Sequence, residues 1–202
     1  MNNNDINTEQ IILEAGEVEF LEKGYGNTKM ITIAKRAKVS HSMVHYYFRN
    51  KENLFQKIFT KKIQMISFIL EEIFDKRLPF FETVRLIVES QFDFAAKNPK
   101  LPLFILNEIL SNKKNRALVF NSLSPKVKGI LTKLNTMFDE EIEKGTIRSI
   151  RLLDFLMNMV SMNLTVFILL PIIEEFPSVD IEKLLSERRE NNIQFILNAL
   201  RP

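Results

Sequence analysis

Two histidines, His41 and His45, stand four residues apart in a stretch that reads GYGNTKMITIAKRAKVSHSMVHYYFRNKENLF from residue 24 to 55. On a helix that interval puts both imidazoles on one face, the arrangement of a chelating pair. Ser42, Met43 and Val44 lie between them and no carboxylate or cysteine stands beside them, so no metal site and no cofactor are expected. A second chemistry fits the surroundings better. Between Lys23 and Lys62 the chain carries ten Lys/Arg side chains against one acid, Glu52, interleaved with aromatic and short polar residues. This is the composition of a surface that meets phosphate.

Charge divides unevenly along the 202 residues. Residues 1 to 62 hold ten Lys/Arg and seven Asp/Glu, whereas the remainder holds eighteen of each, so the whole excess of +3 lies at the N-terminal end. Catalysis has little to stand on: both histidines sit in the basic stretch, cysteine is absent, and neither a Gly-rich phosphate loop nor a nucleophile, base and acid set can be assembled. The chain is therefore read as a non-enzyme. The absence of cysteine fits a reducing compartment, and MNNNDINTEQ has neither a basic nor an apolar leader segment, which points to the cytoplasm.

The elements that would position the basic face are helical. Only five glycines occur, apolar residues recur at intervals of three and four, and alternating runs are lacking, so the fold class is all-α. A first helix is expected from about Thr8 to Lys23, with Asn7 and Gln10 as a cap pair and Gly24 as the stop. A short second helix covers about Met30 to Ala37 with Thr28 as its cap, and a third runs from Ser40 to Tyr47. Asn50 caps a fourth that begins at Lys51 and reaches toward Phe74. Two short helices joined at Lys38 and Val39 make a helix-turn-helix. Ile33, Ala34, Ala37, Val39 and Val44 would lock the pair, with Phe48 in the core. His41, Ser42, His45 and Tyr46 are left facing outward, where they suit the base edges of a major groove, and Tyr47 and Lys51 fall where phosphates pass.

The order EKGYGNTK, ITIAKRAKVS and MVHYYFRNKENLF resembles the N-terminal domain of the TetR family of transcriptional repressors. The resemblance covers roughly residues 6–66, leaving 67–202 as a regulatory and dimerisation domain, and it implies about nine helices with the helix-turn-helix at about 29–48. The DNA-binding set it implies is Thr28, Lys29, Met30, Ser40, His41, Ser42, Met43, His45, Tyr46, Tyr47 and Lys51. Relatives often have Gly or Pro where Ser42 stands, Tyr where His45 stands and His where Tyr47 stands. Gly16 replaces a usual Ala in the first helix and Glu19 a usual Leu, which suggests a rotated or softer helix.

Beyond Asp75 the breakers place helices from Pro79 to Lys97, Pro102 to Leu110, Pro125 to Lys144, from a Ser149 cap through Leu152 to a stop at Pro171, and from Asp180 to Leu200; Ser111 to Asn115 reads as a polar loop. The segment Leu152 to Ile173 is long and apolar enough to raise a membrane span, but Asp154, Asn158, Ser161 and Asn163 lie inside it. A soluble helix buried on two sides is the better reading. By resemblance, 152–170 and 181–200 would pair with their copies in a homodimer, which suits a palindromic double-stranded operator. The family also implies an unknown small-molecule effector, apolar or cationic, and Gln91, Phe104, Asn107, Glu108, Phe120, Phe155, Asn158 and Met162 are candidates to hold it. The competing expectation is a DNA-binding activator or architectural factor that works through a protein partner.

Overall fold

The computed structural model describes residues 3–111, 113, 116–117 and 125–202. Among these every regular element is a helix: α1 (Asn3–Asn27), α2 (Met30–Ala37), α3 (His41–Phe48), α4 (Lys51–Asp75), α5 (Phe80–Lys97), α6 (Leu101–Ser111), α7 (Pro125–Glu143), α8 (Leu152–Ile173) and α9 (Ile181–Leu200). The chain separates into two compact units, one of Met1–Gln64 with Phe104–Leu123 and one of Met65–Leu103 with Ser124–Pro202.

In the first unit α1 begins well before the expected Thr8, so Asn7 lies inside the helix and is no cap. The Gln10 amide instead donates to Glu14, one turn on, at 2.6 Å. Gly24 does end the helical geometry, at φ 75°, a conformation open to glycine because it has no Cβ. Around this break Phe20 stacks on Tyr25 and meets Phe55 edge-on, and Phe104 of α6 closes over Phe55 and Phe59. Aromatic residues thus fill the space between α1, α4 and α6, while Ile33, Ala34, Ala37, Val44 and Phe48 are buried under the two short helices and Val39 is half-buried.

The two unusual residues of α1 explain one another. A Cβ on Gly16 would stand 3.1 Å from the Leu54 side chain and 3.2 Å from that of Ile58, so the absence of a side chain lets α1 press closely on α4. Glu19 is buried, yet it is paired: Lys23 Nζ donates to it at 2.6 Å and Arg36 Nε at 2.8 Å, so the carboxylate joins α1 to α2. The helix is not softened by these departures; it is tied at one and close-packed at the other.

In the second unit, Val84, Ile87 and Val88 of α5 pack with Leu134 and Phe138 of α7, Phe155 and Met159 of α8, and Ile193, Ile196 and Leu200 of α9. Arg189 of α9 reaches both Asp93 and Glu89 of α5. Helix α8 is capped at Arg151 rather than Ser149, and Arg151 pairs with Asp154 instead of bonding a cap amide. Pro171 lies inside α8 and the helix continues to Ile173, with Glu174 N–H still reaching Leu170 O at 2.9 Å. Asp180 caps α9 by accepting from Lys183 N–H at 3.0 Å. Ser111 and Lys113 are helical, which shortens the expected polar loop, and Asn112, Lys114 and Asn115 lie outside the described residues.

Glu19 gives a measurable consequence. Hydrogen bonds from Lys23 and Arg36 hold its carboxyl below the ordinary 4.5 against the opposing effect of burial. A depressed folded-state value stabilises the native protein above the unfolded value and is lost as pH falls through the folded one. Glu19→Gln should therefore cost about 1–2 kcal/mol at pH 7, and urea midpoints of variant and parent should converge as the pH is taken well below 4.5.

Candidate nucleic-acid interface and effector cavity

Helix α3 presents the chemistry. Ser40 caps it by accepting from Met43 N–H at 3.2 Å, and its hydroxyl lies 2.8 Å from that of Ser42, so both serines are ordered at the start of the helix. Val44 and Phe48 face inward, and this fixes His41, Ser42, Met43, His45 and Tyr46 on the exposed side, with Tyr46 80% exposed. Exposure that large for a tyrosine on a folded helix leaves its ring available to a partner. His45 Nδ1 lies 2.8 Å from Arg49 O and its Nε2 lies 3.1 Å from His41 Nε2. A carbonyl only accepts, so Nδ1 of a neutral His45 carries the proton and its Nε2 accepts from His41.

The expected phosphate contacts divide. Lys29 is exposed at the cap of α2 and Met30 and Tyr47 are half-buried, but Thr28 is buried and does not cap α2: its hydroxyl lies 3.0 Å from Glu19 O and 2.8 Å from Gly24 O. Lys51 is turned inward as well. Its ammonium donates to Tyr25 O at 2.7 Å, Thr28 O at 3.0 Å and Gly26 O at 3.4 Å, and lies 4.4 Å from the Tyr25 ring centre. Burial lowers the affinity of Lys51 for its proton and the Glu108 carboxylate opposes that effect. Thr28 and Lys51 thus build the base of the helix-turn-helix.

A groove that the sequence did not single out runs past the end of α3, where Tyr47, Arg49, Asn53 and Lys57 share a wall with Glu9. Arg49 adopts φ 56° as the chain turns from α3 into α4, and Asn50 caps α4 by accepting from Asn53 N–H at 2.8 Å. Arg49 and Lys57 were visible only as members of a basic run. Their selection depends on a left-handed turn that residue types alone do not signal.

The candidate effector residues do not form one site. Phe104 packs on Phe55 and Phe59 in the first unit, Asn107 is exposed, and Glu108 is buried there, accepting from Tyr25 N–H at 2.9 Å. Glu108 is therefore a structural acceptor and not the seat of a cation. Phe155 fills the core of the second unit, Met162 packs against it and Asn158 is exposed, while Phe120 lies outside the described residues. Gln91 alone of the set lines a cavity of about 140 Å³ in the second unit, among Ile66, Leu70, Phe74, Phe94, Leu134 and Met159. Its orientation is fixed from behind. Asn163 Nδ2 donates to Val88 O at 2.9 Å, so the Gln91 atom 3.0 Å away from it is an acceptor. The Gln91 amino group is what remains for the cavity.

Residues 12–58 match the model of the bacterial regulatory proteins, tetR family. Residues 12–58 thus form a DNA-binding domain of the TetR type. The matched span takes in the α1 core, the helix-turn-helix and the first turns of α4. The sequence is 28% identical over 144 residues, 71% of this chain and 73% of the relative, to an uncharacterized HTH-type transcriptional regulator, YhgD, of Bacillus subtilis. It is 27% identical over 139 residues to the fatty acid metabolism regulator protein of the same organism, covering 69% and 70% of the two chains. The fold matches that of FadR from Bacillus subtilis in complex with stearoyl-CoA, with a TM-score of 0.74, 20% identity, and 95% and 99% of the chains covered. With its TetR-type domain and these relatives, the protein is a DNA-binding regulator of transcription, built on an all-helical fold with its helix-turn-helix at the N-terminal end.

Arg49→Ala and Lys29→Ala should each weaken binding to operator and random DNA alike and reduce the salt slope by about 1. His45→Ala should instead change which bases are preferred, read by selection from a randomised duplex. Lys51→Met should lower the unfolding midpoint while leaving the salt slope of the folded protein unchanged.

Proposed function

We propose that this TetR-family regulator is a homodimeric repressor, released from a palindromic operator by a small apolar effector that carries a hydrogen-bond acceptor. The observation that carries this reading is the cavity around Gln91: its wall is almost wholly aliphatic and aromatic, and its oriented amide brings an N–H donor. Ser90 also lines it, but its hydroxyl is already spent on Ile87 O at 3.0 Å. An apolar tail ending in a carbonyl or carboxylate satisfies both features, and a cation does not. The stearoyl-CoA held by the structurally similar FadR supports the fatty-acyl class. A cavity of about 140 Å³ matches one that takes a benzene-sized group, about 150 Å³. A long chain therefore has to displace wall side chains, and that displacement is the physical means by which it would act on the rest of the fold.

The homodimer reading rests on α8 and α9. Helix α8 passes the length and hydropathy test for a membrane span, but its inner side, Phe155, Met159, Asn163, Val166 and Phe167, is buried in the second unit. Asn163 in that row bonds Val88 O and Gln91, which suits a helix seated on protein. The other side leaves Leu153, Met157, Val160, Leu169 and Ile172 exposed, and α9 leaves Phe195 exposed. A second copy covering both helices would remove this apolar surface from water.

Long-chain fatty acids and their thioesters, added to a gel-shift on the DNA upstream of the protein's own gene, should release the complex. Gln91→Leu should require about tenfold more acyl compound, about 1.4 kcal/mol for one lost hydrogen bond, with operator affinity unchanged. Release by none of these compounds refutes the effector class. Met157→Asp should sediment as a monomer and lose most operator binding; a dimer that persists places the interface elsewhere.

A further inference from the structure

We propose that His41 and His45 form a two-histidine site for a borderline first-row divalent cation such as Ni²⁺, on the exposed face of α3. The site and the DNA-reading face are the same atoms, so cation and operator exclude one another; that exclusion rests on the DNA face proposed for α3, whereas cation binding does not.

The geometry is already that of a chelate. The two Nε2 atoms are 3.1 Å apart, and metal–nitrogen bonds of about 2.0–2.1 Å to both would subtend about 98° at the ion, between the octahedral and tetrahedral angles. The rings stand nearly perpendicular, at 89°, so both approach one point without clashing. His45 is held for this role by its other nitrogen, since Nδ1–H on Arg49 O at 2.8 Å both fixes the ring and directs the Nε2 lone pair outward. A backbone carbonyl in that position is the usual second partner of a metal-binding imidazole.

Metal binding takes both rings as Nδ1–H tautomers, which leaves both Nε2 lone pairs for the cation. Among the described residues no cluster of three or more His, Cys, Asp or Glu exists, so water fills the other coordination positions. Two imidazoles without carboxylate favour Ni²⁺, Cu²⁺ and Zn²⁺ over Ca²⁺ and Mg²⁺. The sequence offers the pair no third protein ligand, so the 3.1 Å approach of the two nitrogens makes a labile site and not a structural one.

The full-length protein is titrated with NiCl₂ by calorimetry, beside His41→Gln and His45→Gln. Both side chains are exposed, so the variants should keep the parent's circular dichroism and melting curve. One Ni²⁺ per chain is expected, with affinity falling about tenfold or more in each variant. Absence of saturable binding, or equal binding by parent and variants, overturns the site. A labelled operator duplex is then titrated with and without Ni²⁺: the parent should lose affinity and regain it with EDTA, and the variants should not respond. If Ni²⁺ binds the pair but leaves operator affinity intact, the metal site stands and the placement of this face on DNA is overturned.

Discussion

A single ammonium group organises the DNA-binding end of this chain. Lys51 takes the carbonyls of Tyr25, Gly26 and Thr28, the segment that leaves α1 after the break at Gly24. Those carbonyls stand in the last turn of α1 and just past it, where no following turn supplies donors to them, and a helix-end carbonyl left without a partner costs a substantial fraction of a hydrogen bond. One cation satisfies them together. The amide of the same Tyr25 is met from the opposite charge, by Glu108. The short turn after the Gly24 kink is thereby held through both its carbonyls and an amide, and α2, which starts soon after it, inherits a fixed origin. The placement of α3 follows, because Ile33, Ala34 and Val44 leave the two short helices little freedom once one is fixed.

Much of this architecture was legible in residue types. The bounds of α2 follow from the breaks at Gly24 and Lys38, and the exposed row on α3 follows from Val44 and Phe48 turning inward. What escaped the sequence was partnership over distance. Lys51 lies in a basic run, and nothing local distinguishes a lysine that meets phosphate from one that closes a loop formed 23 to 26 residues earlier. Glu108 failed for the same reason: an acid among phenylalanines suggests a bound cation until the amide it accepts from, 83 residues away, is known. Glu19 and Gly16 looked like flaws in a helix and are instead a cross-link and a close approach. Gln91 was legible as a polar residue among apolar ones, but the donor it offers is decided by Asn163, which periodicity places on α8 without revealing its bonds.

The two units differ in how they spend polar groups. The first uses charge to hold the chain around the Gly24 kink and leaves Lys29, Lys35, Lys38 and Arg49 exposed, where a polyanion can reach them. The second carries fifteen Lys/Arg against seventeen Asp/Glu, bridges α5 and α9 with Arg189, and among its described residues buries Ser67, Thr83 and a chain of amides in an otherwise apolar interior. Recognition of a charged polymer and the proposed recognition of an apolar small molecule make opposite demands on a protein interior. Separate units allow each demand to be met without compromising the other.

That chain of amides carries a further implication. Asn192 donates to Met162 O and to Asn163, Asn163 to Val88 O and to Gln91, and each link is oriented by a backbone carbonyl that cannot be reversed. The hydrogen-bonding sense shown to the cavity is thus written one residue behind its wall. Replacing Asn163 by leucine would remove the fixed donor and free the Gln91 amide to turn, so that either its N–H or its oxygen could face the cavity. In the proposed effector site, the choice between an acceptor-bearing and a donor-bearing ligand would then loosen while every residue lining the cavity stays the same.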